Sequence, residues 1–302
     1  MSDDVVLLNR KGPVGEVVFN RADQLNAFAP YEPGELSATV VQVREAFEEL
    51  NDDDSIKVIV FRGLGEAFST GGNVGTLGVM YSHPDDLPGK RPPQRRYLRV
   101  DEQVARTWEA IAYSSKVVIA EGKGYVLGVA LDWFVAADIM ICSEETVLGY
   151  PPARMIAFSG MSTAYWMQKM GPALHAEISL MGRYVGAQEA CDRGLVNRVV
   201  PRDRLEETVD AAVESVCCIA ADGLYIGKLN RRVAFDIMGA RSSSLQSNMG
   251  HSMQVQQRLD PDEFNVIRER GRHGAKEAWK ARDQRFKSAL ARFEGRNPDV
   301  ED

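Results

Sequence analysis

The stretch Gly122-Lys123-Gly124-Tyr125-Val126-Leu127-Gly128-Val129-Ala130-Leu131-Asp132 decides the reading of the fold. A short β-branched run, Val117 to Ala120, ends just before it, and an apolar helical run opens inside it. A helix starting near Gly128 leaves the N–H of Val129 unsatisfied at the positive end of the helix, a suitable donor for a developing oxyanion. Asp132 follows three residues later, close to one helical turn. Its carboxylate is expected on the same side as that donor, within reach of a carbon next to a bound carbonyl. The competing reading is an aspartate that simply favours a first turn. The apolar run Val129 to Ala137 weighs against it, because buried carboxylates are uncommon unless paired or used. Gly122, Gly124 and Gly128 also look like a dinucleotide-binding turn, with Glu144 where a ribose acceptor would sit. The spacing is G-x-G-x-x-x-G, so an NAD(P)-dependent oxidoreductase stands as an alternative.

Upstream, Ala67-Phe68-Ser69-Thr70-Gly71-Gly72-Asn73 follows the strand-like run Ile56 to Phe61 and a Gly63-Leu64-Gly65 turn. Paired glycines after a strand let the chain turn tightly, so that a backbone N–H points at a ligand instead of into a ladder. A plain glycine-rich turn is the bland alternative. Further out, Val5 to Leu8 and Val14 to Phe19 read as a hairpin through Gly12-Pro13, with an amphipathic helix near Leu36 to Leu50. Ile139 to Cys142 and Leu195 to Val200 continue a strand and helix alternation, which is α/β order in repeated units. Met80 to Arg99 is Pro-rich and basic and is expected to be a surface loop. From Arg202 the pattern turns helical, with helices expected over Leu205 to Ala221 and Gly274 to Phe293.

The bulk composition narrows the function classes. Of 302 residues, 36 are basic and 43 acidic, a net charge of -7 that argues against a surface built to neutralise nucleic-acid phosphates. No apolar run approaches the roughly 20 residues needed to span a membrane. The acidic opening MSDDVVLLNR lacks a signal-peptide core, so the expected location is cytoplasmic. Cys142, Cys191, Cys217 and Cys218 form no C-x-x-C, and the four histidines are scattered; no metal is implied.

Taken together, these segments resemble the crotonase (enoyl-CoA hydratase/isomerase) superfamily. The matching pieces are Phe19-Asn20-Arg21-Ala22-Asp23-Gln24-Leu25-Asn26-Ala27, Ala67 to Asn73, Gly124 to Gly128, Ala137-Asp138-Ile139, and Gly194-Leu195-Val196-Asn197-Arg198-Val199-Val200-Pro201, in matching order from about residue 5 to 201. The resemblance implies an α/β fold: a ββα spiral core over residues 1–201 and a C-terminal helical subdomain over 202–302 that builds a homotrimer, or a hexamer as a dimer of trimers. It implies an acyl-CoA thioester whose carbonyl is held between the N–H groups of Thr70 and Val129, with Asp132 as acid/base. Coenzyme A, part of the substrate and not a separate cofactor, is expected along Thr70, Gly71, Gly72 and Asn73, with Ala27, Ala67, Gly128 and Val129 completing its site.

The departures from the family pattern matter equally. Hydratases of this family carry two glutamates; the first falls on Asp132 and the second on or beside Pro152, with no carboxylate between Thr146 and Gln168. One acid still supports hydration helped by a tyrosine, double-bond isomerisation or carbon–carbon cleavage, each of which begins with an enolate. Tyr150 is the nearest alternative proton donor, and Arg154 is placed to hold a substrate carboxylate. The missing second acid also leaves open a catalytically silent acyl-CoA-binding homologue. A serine peptidase using Ser69 or Ser159 ranks last, because no histidine sits in a recognisable partner motif. Tyr150, Phe158, Tyr165 and Trp166 point to a large or ring-bearing acyl group.

Overall fold

A computed structural model of the chain describes residues 4–76, 79–82, 91–156 and 162–295. Strands β1 (Val6–Lys11) and β2 (Val14–Phe19) pair antiparallel through the Gly12-Pro13 turn, with Val6 opposite Phe19. Helix α1 (Ala38–Asp52) buries Val40, Val43, Ala46, Phe47 and Leu50, one stripe at helical spacing. Strand β3 (Val58–Gly63) then lies parallel to β2.

Helix α2 (Gln94–Ala112) occupies part of the stretch expected to be loop. The loop reading fails from Gln94 onward because the prolines end at Pro93, which serves as the N-cap, and Arg95 and Arg99 then fall on the outer side of a helix. Its inner stripe is Tyr97, Asp101, Val104, Ala105 and Trp108, all buried. Residues 83–90, including Pro84, Pro88 and Lys90 of the expected loop, lie outside the described residues.

Next come β4 (Val117–Gly122), β5 (Tyr125–Leu127), α3 (Val129–Ala136), β6 (Ile139–Ser143) and β7 (Val147–Gly149). The short α4 (Ala153–Ile156) and the kinked α5 (Thr163–Ser179) precede β8 (Val185–Gly186), α6 (Ala187–Asp192) and β9 (Arg198–Val200). Only the last part of the expected strand Leu195 to Val200 is extended. The helical tail comprises α7 (Leu205–Cys217), α8 (Ala221–Ile237), α9 (Ala240–Gln254), α10 (Val266–His273) and α11 (Ala275–Phe293). The single helix expected over Leu205 to Ala221 is therefore interrupted after Cys217, and α8 starts at Ala221.

The main sheet has the order β1-β2-β3-β4-β6-β9, parallel after the first hairpin, and β5, β7 and β8 form a second sheet. Strand β3 is apolar from Val58 to Phe61 because both of its faces are covered there. Ile59 and Phe61 enter the main core, while Val58 and Val60 pack with Ile119 and Ile141 against Leu205, Val209, Val213 and Val216 of α7. In the main core Phe28 stacks on Trp133 at 4.7 Å, and Phe68 meets Phe61 and Phe134 edge-on. Ala130 to Ala136 of α3 are buried all round, and all of them but Asp132 are apolar. No helix among the described residues is long and apolar enough to cross a membrane.

Candidate active site

Two backbone segments meet at the start of α3. Residues 68–69 run beside β5: Ser69 N–H donates to the Tyr125 carbonyl at 3.0 Å, and Leu127 N–H donates to the Ser69 carbonyl at 3.0 Å. Gly71 follows with φ +79°, where a Cβ would lie 2.5 Å from the Leu127 carbonyl oxygen and 3.4 Å from the Val129 nitrogen. Only glycine permits that approach. Gly128, at φ 61° and ψ -134°, is the N-cap of α3 and donates its own N–H to the Gly149 carbonyl at 3.0 Å. Val129 is thus the first helical residue, and no intrahelical acceptor exists for its N–H. The N–H of Thr70 has a different standing: it donates to the carbonyl of Leu25 at 3.1 Å.

That carbonyl is held by an unusual loop. Leu25 and Asn26 both take left-handed backbone angles, φ 50° and 53°, a rare conformation for residues other than glycine. The Asn26 side chain fixes the loop, because it accepts from Arg21 N–H and donates to the carbonyls of Leu64 and Ala67, all within 2.9 Å. Ser69 adds a hydrogen bond from its hydroxyl to the Asn26 carbonyl at 2.7 Å and accepts from Gly71 N–H at 3.0 Å. This hydroxyl is therefore committed to holding the loop, which removes the peptidase reading at Ser69; Ser159 lies outside the described residues.

A cavity of about 150 Å³ opens where these segments meet. Thr70, Gly72, Gly128 and Val129 form one side, Pro151, Pro152 and Met155 another, and Tyr31, Val40, Met80, Val104 and Tyr150 most of the remainder. A cavity of that size accommodates a six-membered ring. Asp101, His251 and Arg282 also line it. Asp101, 2% exposed, accepts from Tyr81 Oη at 2.7 Å on Oδ1 and from Ser252 Oγ at 2.7 Å on Oδ2, and His251 Nδ1 lies 3.0 Å from Oδ1. Burial, reinforced by the Asp101 charge, pushes the Tyr31 phenol up to about 12 and that of Tyr81 well above the ordinary tyrosine value. Both phenols therefore keep their protons at neutral pH.

The residues singled out from the sequence divide among several roles. Thr70, Gly72, Gly128, Val129 and Tyr150 surround the cavity, and Tyr150 also packs edge-on against Trp166. Asp132 sits in the first turn of α3 as expected, is fully buried, and is not among the side chains that line the cavity. Ala27 and Ala67 belong to the loop that Asn26 organises, and the Asn73 side chain accepts from Gly75 N–H at 2.9 Å in a tight turn. Arg154 does not reach the cavity. Its guanidinium bonds the Gly182 carbonyl and Asp283 and stacks 4.0 Å over Tyr184, so it braces α4 against α11. Tyr165 and Trp166 are core residues, 1% and 0% exposed, so the case for a ring-sized acyl group rests on the cavity volume and not on these rings. Phe158 lies outside the described residues.

The glycines that resembled a dinucleotide turn have packing reasons. A Cβ at Gly122 would strike Cys142 Sγ at 2.6 Å, and one at Gly124 would strike the Glu66 carbonyl at 2.2 Å. The sequence reading missed Tyr81, Asp101, His251, Ser252 and Arg282. The available signal was weak: Asp101 is the acidic member of an otherwise apolar inner stripe on α2, and two of its partners, His251 and Ser252, lie about 150 residues away. Among the described residues, no group of three or more His, Cys, Asp or Glu is arranged to hold a metal ion.

Comparison with known proteins places these features in context. Residues 9–222 match the family model described as enoyl-CoA hydratase/isomerase. A "Probable enoyl-CoA hydratase" of Rhizobium meliloti is 28% identical over 229 residues, covering 76% of this chain and 81% of that protein. One of the same description from Mycobacterium tuberculosis is 25% identical over 253 residues, covering 83% and 90%. A solved enoyl-CoA hydratase from Mycobacterium smegmatis superposes with a TM-score of 0.80 at 20% identity, covering 98% of each chain, which shows the shared fold.

Proposed function

The chain belongs to the enoyl-CoA hydratase/isomerase family, and from that premise we propose that it processes an acyl-CoA thioester through an enolate, adding water across an α,β-double bond. The thioester carbonyl is held by the N–H of Val129 together with that of Thr70. One observation carries this reading: the first N–H of a buried helix stands beside Gly71, at the edge of a cavity large enough for a ring. Negative charge builds on the carbonyl oxygen as an enolate forms, and preorganised donors aimed at it are worth about 3 kcal/mol each. Thr70 N–H joins by sharing its proton between the ligand and the Leu25 carbonyl in a three-centre bond. Coenzyme A lies along Thr70 to Asn73, and the acyl group occupies the cavity. Asp132 is the acid/base for the α-carbon, since it shares the first turn of α3 with Val129. Isomerisation and carbon–carbon cleavage start from the same enolate.

A second reading, a silent acyl-CoA-binding homologue, is favoured by Asp132 lying outside the cavity lining and by Pro152 standing where the second acid would be. Saturated thioesters separate the two. In deuterated water, butanoyl-CoA and cyclohexanecarbonyl-CoA exchange their α-protons only if the enolate forms. The proposal expects exchange by the wild type and a loss of about 10²-fold or more in Asp132→Asn, within the range for general acid–base catalysis. Exchange at the wild-type rate in Asp132→Asn would sink the role of Asp132. Absence of both exchange and turnover on every thioester leaves the silent binder.

A further inference from the structure

We infer that His251, oriented by Asp101, is the second acid/base of this site and handles the proton of the water that adds to the β-carbon. The inference rests on the enolate reading above and supplies the group that Pro152 cannot.

The hydrogen bonds fix the imidazole tautomer. Asp101 can only accept, and Tyr81 donates its one hydroxyl proton to Asp101 Oδ1 at 2.7 Å. His251 Nδ1 lies 3.0 Å from that same oxygen and 3.1 Å from Tyr81 Oη. Tyr81 has given its proton to Asp101, so the hydrogen bond between Nδ1 and Tyr81 Oη takes its proton from Nδ1, and Nε2 of the neutral ring carries a lone pair. Ser252 occupies the other carboxylate oxygen at 2.7 Å. With both its oxygens bonded, Asp101 is held in place while the His251 side chain, 22% exposed, faces the cavity that Val129 borders. A buried carboxylate that fixes a histidine tautomer and stabilises the imidazolium is the arrangement general bases use.

In the hydration step the water oxygen bonds to Cβ and its proton passes to His251 Nε2. The electron pair of the double bond moves through Cα onto the thioester oxygen, where the backbone donors hold it. The enolate then collapses as Asp132, which enters the step protonated, donates its proton to Cα. Solvent takes the imidazolium proton and reprotonates Asp132, so nothing is oxidised or reduced.

The test pairs two substrate types. Crotonyl-CoA and cyclohex-1-enecarbonyl-CoA report water addition, and their saturated counterparts report enolate formation alone through α-proton exchange. His251→Gln is expected to lose about 10²- to 10⁴-fold in hydration, the usual contribution of a positioned acid/base, with exchange kept within about threefold. Imidazole added to His251→Gly is expected to restore hydration, which a merely structural defect would not allow. Asp101→Asn, which offers the ring an N–H and favours the wrong tautomer, is expected to lower kcat by about 10²-fold or more at unchanged KM. Hydration within about threefold of the wild type in His251→Gln overturns the inference, as does a parallel loss of exchange without rescue by imidazole. A wild type that neither exchanges nor hydrates any of the four thioesters overturns the enolate reading along with it.

Discussion

The backbone donor at Val129 can be removed by a single substitution. Proline is tolerated at the first position of a helix, where its fixed φ fits and its missing N–H breaks no helical bond. Gly128 before it is free of the restrictions that proline places on a preceding side chain. Val129→Pro is therefore expected to keep the thermal midpoint close to the wild-type value. Its α-proton exchange should fall by about 10²- to 10³-fold, as for loss of one oxyanion donor; a variant that exchanges normally would remove Val129 from the site. This donor was legible in the sequence because a helix start is a local event, written in Gly128 and the apolar run behind it. The engagement of Thr70 was not legible. It depends on the left-handed carbonyl of Leu25, which a bond network around Asn26 holds against Ala67, about forty residues away. Asp101 and His251 were hidden for the same reason: nothing within one turn of either residue announces its partner.

Single elements were readable where their pattern was periodic, as in α1 and α11, and misread where composition masked the period. Four prolines and a basic cluster made 80–99 look like loop, although Tyr97, Asp101, Val104 and Trp108 continue one helical face. How the tail elements are tied to the spiral was equally invisible. Arg183 bonds Glu177 on α5 at 2.8 Å, grips Glu189 on α6 with two bonds of 2.7 and 2.6 Å, and reaches Glu294 at the end of α11 at 2.7 Å. The hydrogen bonds from Arg183 hold the Glu189 carboxyl below the ordinary glutamate value of 4.5, despite some opposing burial. The unfolded chain thus binds this proton more readily than the folded one. The contribution is complete above about pH 4.5 and is lost as the pH falls through the lower, folded value. The urea midpoint is expected to drop more from about pH 6 to pH 4 in the wild type than in Glu189→Gln; equal drops would show that the contact adds nothing.

At the scale of the molecule, the tail leaves apolar side chains in water. On α8, Ile226, Val233 and Ile237 are 57%, 49% and 82% exposed, and on α9, Leu245, Met249 and Met253 are 62%, 53% and 71% exposed at every fourth position. Stripes of this kind mark a surface awaiting a partner, and the expected partner is a second copy of this chain in a trimer or hexamer. Light scattering on the purified protein at micromolar concentration should give such a multiple of 33.4 kDa. Ile237→Glu combined with Met249→Glu should return the monomer mass, whereas a wild type that runs as a monomer would refute the expectation. The sequence hid this surface too, because exposure depends on which side of a helix its neighbours leave uncovered. The clasp between α2 and α9 also sets an order of events during synthesis. Asp101 leaves the ribosome some 150 residues before Ser252, so the nascent spiral carries a buried carboxylate with only the Tyr81 hydroxyl on one oxygen until nearly the whole chain has been made. A message cut short anywhere before α9 should yield a product that cells treat as unfinished and degrade, since the polar pair that completes the pocket also closes the fold around it.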